Sequence, residues 1–126
     1  EPARLINDIL SDNVARTPMF GPNSPLYFPN YQVAAKTGTT NDYKDAWTVG
    51  YSPTISVGVW AGNNDNTSMA KKPGVMISTP IWRAFMVEAL QKFPKEYFIP
   101  PKHTPDVPLP EDNEIDDSNN NDGIIE

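Results

Sequence analysis

The chain has 126 residues, enough for one modest domain and too few for two. It is 38% hydrophobic and 21% charged, ordinary values for a globular protein, and its lack of Cys excludes disulfides, thiolate metal sites and Cys nucleophiles without fixing a compartment. The net charge of -6 sits at one end: residues 1–99 hold nine Lys/Arg against eight Asp/Glu, whereas residues 100–126 hold Lys102 against eight acids, so there is no basic stripe for nucleic acid.

Leu5, Ile6, Ile9, Leu10 and Val14 recur at helical spacing behind Pro2, which predicts a helix over about 2–14. Pro18, Gly21, Pro22, Pro25 and Pro29 make 17–31 a predicted loop, packed down by Met19, Phe20, Leu26, Tyr27 and Phe28. Three strands follow, over about 32–39, 45–51 and 54–61; in the second and third, apolar residues alternate with others. Their short connections favour antiparallel hairpins. Trp47, Tyr51, Trp60 and Trp82 read as core residues. Gly62-Asn63-Asn64-Asp65 ends the third strand as a turn, because its oxygens lack calcium-loop spacing. Ser78-Thr79-Pro80 then offers an N-cap and a first-turn Pro for a helix over about 79–92, with Ile81, Trp82, Phe85, Met86, Ala89 and Leu90 as its apolar positions.

From Pro100 the chain is Pro-rich, then acidic and Asn-rich, and it is predicted disordered, with His103 too isolated to bind a metal. The expected organisation is therefore an α+β body over 1–99 and a tail over 100–126. No apolar run approaches the ~18–20 residues that cross a bilayer. The start, Glu-Pro-Ala-Arg, has neither Met nor a signal-peptide pattern, and reads as a cut within a longer polypeptide.

The chemistry concentrates in Val33-Ala34-Ala35-Lys36-Thr37-Gly38-Thr39-Thr40. Strand alternation sends Lys36 and Gly38 to one face, Thr37 and Thr39 to the other. An ammonium with nearby hydroxyls can hold a carboxylate, and Gly38 leaves room for a ligand against the backbone. On an edge strand, the outward amides could pair with an extended peptide, and one could serve an oxyanion hole.

Lys36-Thr37-Gly38-Thr39-Thr40-Asn41-Asp42, with Asp45-Ala46-Trp47-Thr48-Val49-Gly50-Tyr51 and Gly58-Val59-Trp60-Ala61-Gly62-Asn63-Asn64-Asp65, resembles the C-terminal part of the transpeptidase domain of class A penicillin-binding proteins. Ile9-Leu10-Ser11-Asp12-Asn13, Met19-Phe20-Gly21 and Pro80-Ile81-Trp82-Arg83-Ala84-Phe85-Met86 agree with it, so the resemblance covers about residues 1–93 and not the tail. It implies the C-terminal portion of the fold shared with serine β-lactamases, from a bifunctional enzyme that polymerises and cross-links peptidoglycan. Lys36, Thr37 and Thr39 would bind the carboxylate of a D-Ala-D-Ala stem peptide or a β-lactam. The Thr39 amide would be an oxyanion-hole donor, and Gly38 would admit the acyl group. No cofactor or metal is implied. The parent would sit on the outer side of the bacterial cytoplasmic membrane through an anchor absent from these residues.

The family reaction passes through a serine ester and needs S-x-x-K and S-x-N motifs before K-T-G. Ser68-Met69-Ala70-Lys71 and Ser11-Asp12-Asn13 match as strings, but in the wrong order and in the wrong local contexts. Asp45 reads as a strand-start hydrogen-bond partner, not a general base. The expectation is that the serine lies upstream, in the part of the same domain that this segment would pack against. It would leave the segment inactive alone, with the strand at 54–61 exposing an edge. The alternatives are a serine β-lactamase or D,D-carboxypeptidase fragment, or a non-catalytic peptidoglycan-binding module.

Overall fold

Residues 1–69 and 74–102 are described by the structure, a computed structural model. The first helices are α1, Pro2–Ser11, and α2, Asn13–Phe20. The predicted single helix over 2–14 is thus two, because Asp12 leaves helical geometry at φ -71, ψ 103 and caps α2. Its Oδ1 accepts from the Val14 and Ala15 amides at 2.8 and 3.0 Å, satisfying donors that a helix start leaves orphaned. The predicted loop over 17–31 accordingly starts late, since Pro18 lies inside α2, where its missing N–H removes one helical bond. Leu26 and Phe28 are buried as expected, but Met19 is 79% exposed.

Three antiparallel strands, β1 (Ala34–Thr39), β2 (Asp45–Tyr51) and β3 (Ser56–Gly62), form a sheet of order β1-β2-β3. The helix α3, Gly74–Lys92, lies against it. The result is α+β, as the sequence suggests. The period of two in β2 is also as predicted, but its faces are exchanged. Ala46, Thr48 and Gly50 are buried toward α3, while Trp47 and Val49 face outward. The helix demands this: a Cβ on Gly50 would lie 2.3 Å from Trp82 Cζ2, so only glycine admits the fully buried indole. The indole N–H of Trp82 donates to the Val57 carbonyl at 3.2 Å, and its ring meets Phe28 edge-on at 5.8 Å.

Trp82 is therefore core as predicted, together with Leu26, Phe28, Val33, Ala35, Met86 and Leu90. Trp47 and Trp60 are corrections: they sit opposite each other across β2 and β3, 45% and 42% exposed. Tyr51 is half-buried and its hydroxyl donates to Asn7 Oδ1 at 2.8 Å, tying the sheet to α1. Ser78 and Thr79 do not cap α3, which starts at Gly74; they are buried inside it, both 2.8 Å from the Thr48 hydroxyl. Ile81 and Phe85 face away from the sheet and are exposed. The helix ends at Lys92, before Pro94.

Beyond α3 the chain returns to the start of the fold. Phe98 donates its amide to Gln32 and stacks edge-on against Tyr51, and the Lys102 amide donates to Glu1 Oε1 at 2.7 Å. Lys102 of the predicted tail is thus bonded to Glu1, the residue before α1; His103 and the remainder fall outside the described residues. Among the described residues, no helix is long and apolar enough to cross a membrane.

Candidate functional site

Lys36-Thr37-Gly38-Thr39 occupies the last four positions of β1, an edge strand paired on one side by β2. The Thr40 amide donates to the Asp45 carbonyl at 3.1 Å, which makes those residues a hydrogen-bonded pair just beyond the strand. Alternation along an antiparallel ladder then turns the backbone groups of Lys36 and Gly38 toward β2, and those of Thr37 and Thr39 toward the outer edge. The Lys36 ammonium confirms the direction, reaching the Thr37 carbonyl at 2.6 Å on that edge. Lys36, Gly38 and Thr39 are exposed and Thr37 is half-buried, so burial alone does not sort these residues into the two faces that alternation predicts.

Gly38 differs from the glycines that packing requires. A Cβ there would meet Trp47 Cβ at 3.7 Å, an ordinary contact, whereas Cβ atoms on Gly50 and Gly62 would collide with indole rings at 2.3 and 2.6 Å. Nothing within the described fold forbids a side chain at 38.

Open clefts flank the strand. One of about 270 Å³ lies between Lys36 and Thr37 and the first helices, walled by Ile9, Leu10, Ala15 and Phe20. Arg16 also lines it, held by the Leu26 carbonyl at 3.2 Å and the Leu10 carbonyl. Burial draws the Arg16 pKa below its usual value, against the opposing pull of Asp12, though an arginine remains charged at neutral pH. The second cleft, about 390 Å³, lies where β1 turns, between Thr39 and Tyr43.

The turn itself is tightly tied. Asp42 and Tyr43 have φ of 60 and 54, rare for a bulky residue such as Tyr. Asp45 serves as the strand-start partner that its position suggests: its Oδ2 accepts from the Thr40 hydroxyl at 2.9 Å, and its amide donates to the same oxygen at 2.9 Å. What the sequence reading missed is the third partner, the Trp60 indole, which donates to Asp45 Oδ1 at 2.8 Å. The register would have pointed to it, since Asp45 and Trp60 lie near the same end of paired strands.

The two serine strings lie in different local settings. Ser11 ends α1 with its hydroxyl donating to the Asp8 carbonyl at 3.4 Å, Asp12 caps α2, and the Asn13 side-chain amide donates to the Pro22 carbonyl at 2.9 Å. That is the helix terminus expected of Ser11-Asp12-Asn13. Ser68 follows the turn after β3, outside any helix, and Ala70 and Lys71 of its string lie outside the described residues. Asn63 and Asp65 spend their side chains on the turn, Asn63 donating to the Thr67 carbonyl at 3.1 Å and Asp65 accepting from the Thr67 hydroxyl at 2.8 Å.

Comparison with known proteins gives a consistent answer. No family model matches the chain. Penicillin-binding protein 1A of Aquifex aeolicus is 44% identical over 73 residues, 56% of this chain and 10% of that protein. Penicillin-binding protein 2D of Bacillus subtilis is 36% identical over 69 residues, 55% of this chain and 10% of that protein. Penicillin-binding protein 1A of Neisseria lactamica is 43% identical over 63 residues, 49% of this chain and 8% of that protein. The chain is a relative of the penicillin-binding proteins. It spans about a tenth of the length of these relatives. The stretch that the sequence reading likens to a penicillin-binding-protein motif, Lys36–Thr39, ends the edge strand β1.

Proposed function

We propose that this chain supplies one wall of the acyl-transfer site of a peptidoglycan D,D-transpeptidase. Lys36 and the hydroxyls of Thr37 and Thr39 hold the terminal carboxylate of a D-Ala-D-Ala stem peptide, or the carboxylate of a β-lactam. The Thr39 amide, on the outer edge of β1, is one donor to the oxyanion that forms when a serine attacks the penultimate carbonyl. The serine oxygen forms an ester as the C–N bond to the last D-Ala breaks; an amine of a second stem peptide then takes the acyl group. The serine and its lysine come from sequence outside these 126 residues, so the chain alone is inactive. The parent enzyme also polymerises glycan strands and works on the outer side of the cytoplasmic membrane through an anchor elsewhere.

The observation that carries this reading is Gly38, a glycine on an open strand edge at which the described fold would accept a side chain. A ligand lying against the backbone there needs the space. Kinship with proteins named for binding penicillin supports the same ligand class.

The test is covalent labelling by a fluorescent penicillin. A longer chain carrying the upstream half of the domain should be labelled at an upstream serine, and the 126-residue chain should stay unlabelled. Labelling of the short chain at Ser68 or Ser11 would overturn the assignment. With a stem-peptide substrate, release of free D-Ala without any cross-linked dimer would make the parent a hydrolase of the β-lactamase or carboxypeptidase kind.

A further inference from the structure

Among the described residues, one network adjoins the proposed site and has no part in that mechanism. It joins all three strands at one end of the sheet. Asp45 opens β2 and faces Gly62 at the end of β3 in the ladder. Its carboxylate takes the Thr40 hydroxyl on Oδ2 at 2.9 Å and the Trp60 indole N–H on Oδ1 at 2.8 Å. Its amide donates to Thr40 Oγ1 at 2.9 Å, and its carbonyl accepts the Thr40 amide at 3.1 Å. Thr40 is therefore bound to Asp45 at three points, and Asp45 is bound in turn to β3.

Gly62 is shaped to this arrangement. A Cβ there would lie 2.6 Å from Trp60 Cζ2 and 2.8 Å from the Lys44 carbonyl, so the indole lies flat against the strand end. The left-handed backbone of Asp42 and Tyr43 makes the turn between Thr40 and Asp45 short enough for these bonds, and the Met69 amide fixes its far side through the Tyr43 carbonyl at 2.9 Å. Conformations of that kind persist only where surrounding contacts over-determine them.

We infer that Asp45, Thr40 and Trp60 form a clasp of positioning residues that aims the Thr39 amide. This rests on the proposed transpeptidase reading. The Thr40 N–H shares its peptide unit with the Thr39 carbonyl, whereas the Thr39 amide lies in the preceding unit, across the Thr39 Cα and next to Gly38, which pairs with Trp47. Holding the Thr40 amide and hydroxyl therefore fixes the second of the two peptide planes that flank this Cα and limits how far the Thr39 amide can turn. Oxyanion donors act through preorganisation, and a small misdirection weakens them without removing them. The partly exposed Trp60, which contributes little to the core, is explained as the arm that joins β3 to Asp45.

The experiment uses the longer chain with the upstream half of the domain, and measures penicillin acylation and deacylation separately from noncovalent affinity. Thr40→Val removes the hydroxyl at nearly constant volume, Thr40→Ser keeps it, and Trp60→Phe removes the indole donor together with part of the ring. The expected result is an acylation rate constant about ten-fold lower in T40V, against the ~100-fold or more lost on deleting an oxyanion donor outright. Deacylation slows in parallel, T40S returns to within about two-fold of the parent, and W60F lies between. Noncovalent affinity for the β-lactam changes less than about two-fold. Loss of thermal stability with unchanged acylation and deacylation constants makes the clasp merely structural and overturns the inference. If the unmutated longer chain is never acylated, the transpeptidase reading fails instead, and the two failures are distinct.

Discussion

Gly38→Ala and Gly50→Ala form a matched pair that separates function from packing on one sheet. At position 50 the new methyl would sit 2.3 Å from Trp82 Cζ2 and 2.9 Å from the Ala34 carbonyl. Carbon atoms pack best ~3.5–4.0 Å apart, so more than 1 Å of displacement is required. The indole cannot supply it cheaply, being bonded to the Val57 carbonyl and held against Phe28. The Ala34 oxygen is backbone within β1 and moves less still. Overpacking of this kind costs about 1–3 kcal/mol, and G50A belongs at the upper end. At position 38 the methyl meets Trp47 Cβ at 3.7 Å and the backbone is not left-handed, so stability should be unchanged or gain up to ~0.5 kcal/mol from the stiffer unfolded chain. Both variants are compared in the longer chain by urea unfolding midpoint and by the rate of penicillin acylation. The expected result is a lower midpoint only for G50A, and acylation about ten-fold slower for G38A at an unchanged midpoint. A G38A protein that unfolds as early as G50A would make the glycine structural, and one that acylates at the parent rate would remove the reason for placing a ligand there.

Two further outcomes follow from the same geometry. Thr48→Val removes the one hydroxyl that bonds both Ser78 and Thr79, each 2.8 Å from Thr48 Oγ1 in the buried seam, and should cost about 2 kcal/mol by denaturant unfolding while Thr48→Ser recovers most of it; a loss below ~0.5 kcal/mol would mean that these hydroxyls do not tie α3 to the sheet. The Asp65 carboxyl titrates below the usual range because the Thr67 hydroxyl and amide bond its ionised form at 2.8 and 3.1 Å. A depressed folded pKa stabilises the turn above the unfolded carboxyl's ordinary value and ceases to do so as pH falls through the lowered value, in the acid range below about 4. Thr67→Val should move the Asp65 titration, followed by carboxyl NMR shifts, back up toward the ordinary range; an unmoved titration would refute the assigned cause.

Periodicity located the strands because a pleated strand must alternate whatever it packs against. It could not say which face was inner. The usual rule puts the larger apolar residues inside, yet in β2 the small set Ala46, Thr48 and Gly50 is inner because the volume is supplied from α3 by Trp82. The break at Asp12 was within reach, since an Asp before Asn13 and Val14 is a strong helix cap, but the apolar spacing through Val14 outweighed it and Val14 proved exposed. The candidate strand was the most legible part. Alternation assigns Lys, Gly and Thr to faces by geometry alone, whereas edge placement was only a condition in the sequence and comes from the sheet order β1-β2-β3. The clasp at Asp45 was only half legible, because its link to Trp60 depends on register between strands whose pairing no local rule sets.

The two faces of the sheet give a consistent last argument. One is covered by α3 and carries the fully buried Trp82 and Met86. The other presents Trp47, Val49 and Trp60 to the outside, and α1 carries Ile6 and Ile9 outward, Ile9 at 63% exposure. Single exposed apolar residues need no explanation, but several together on a sheet face and an amphipathic helix suit a buried interface. The outer edge of β3 has no strand paired to it among the described residues, and a stable protein ordinarily covers such an edge. Each of these features has the same kind of physical remedy, additional chain packed over it. The proposed reading requires the same chain to bring the serine to Lys36 and Thr39. Completing the fold and completing the active site would then be a single event, so upstream substitutions that loosen this packing should lower stability and acylation together, unlike Gly38→Ala.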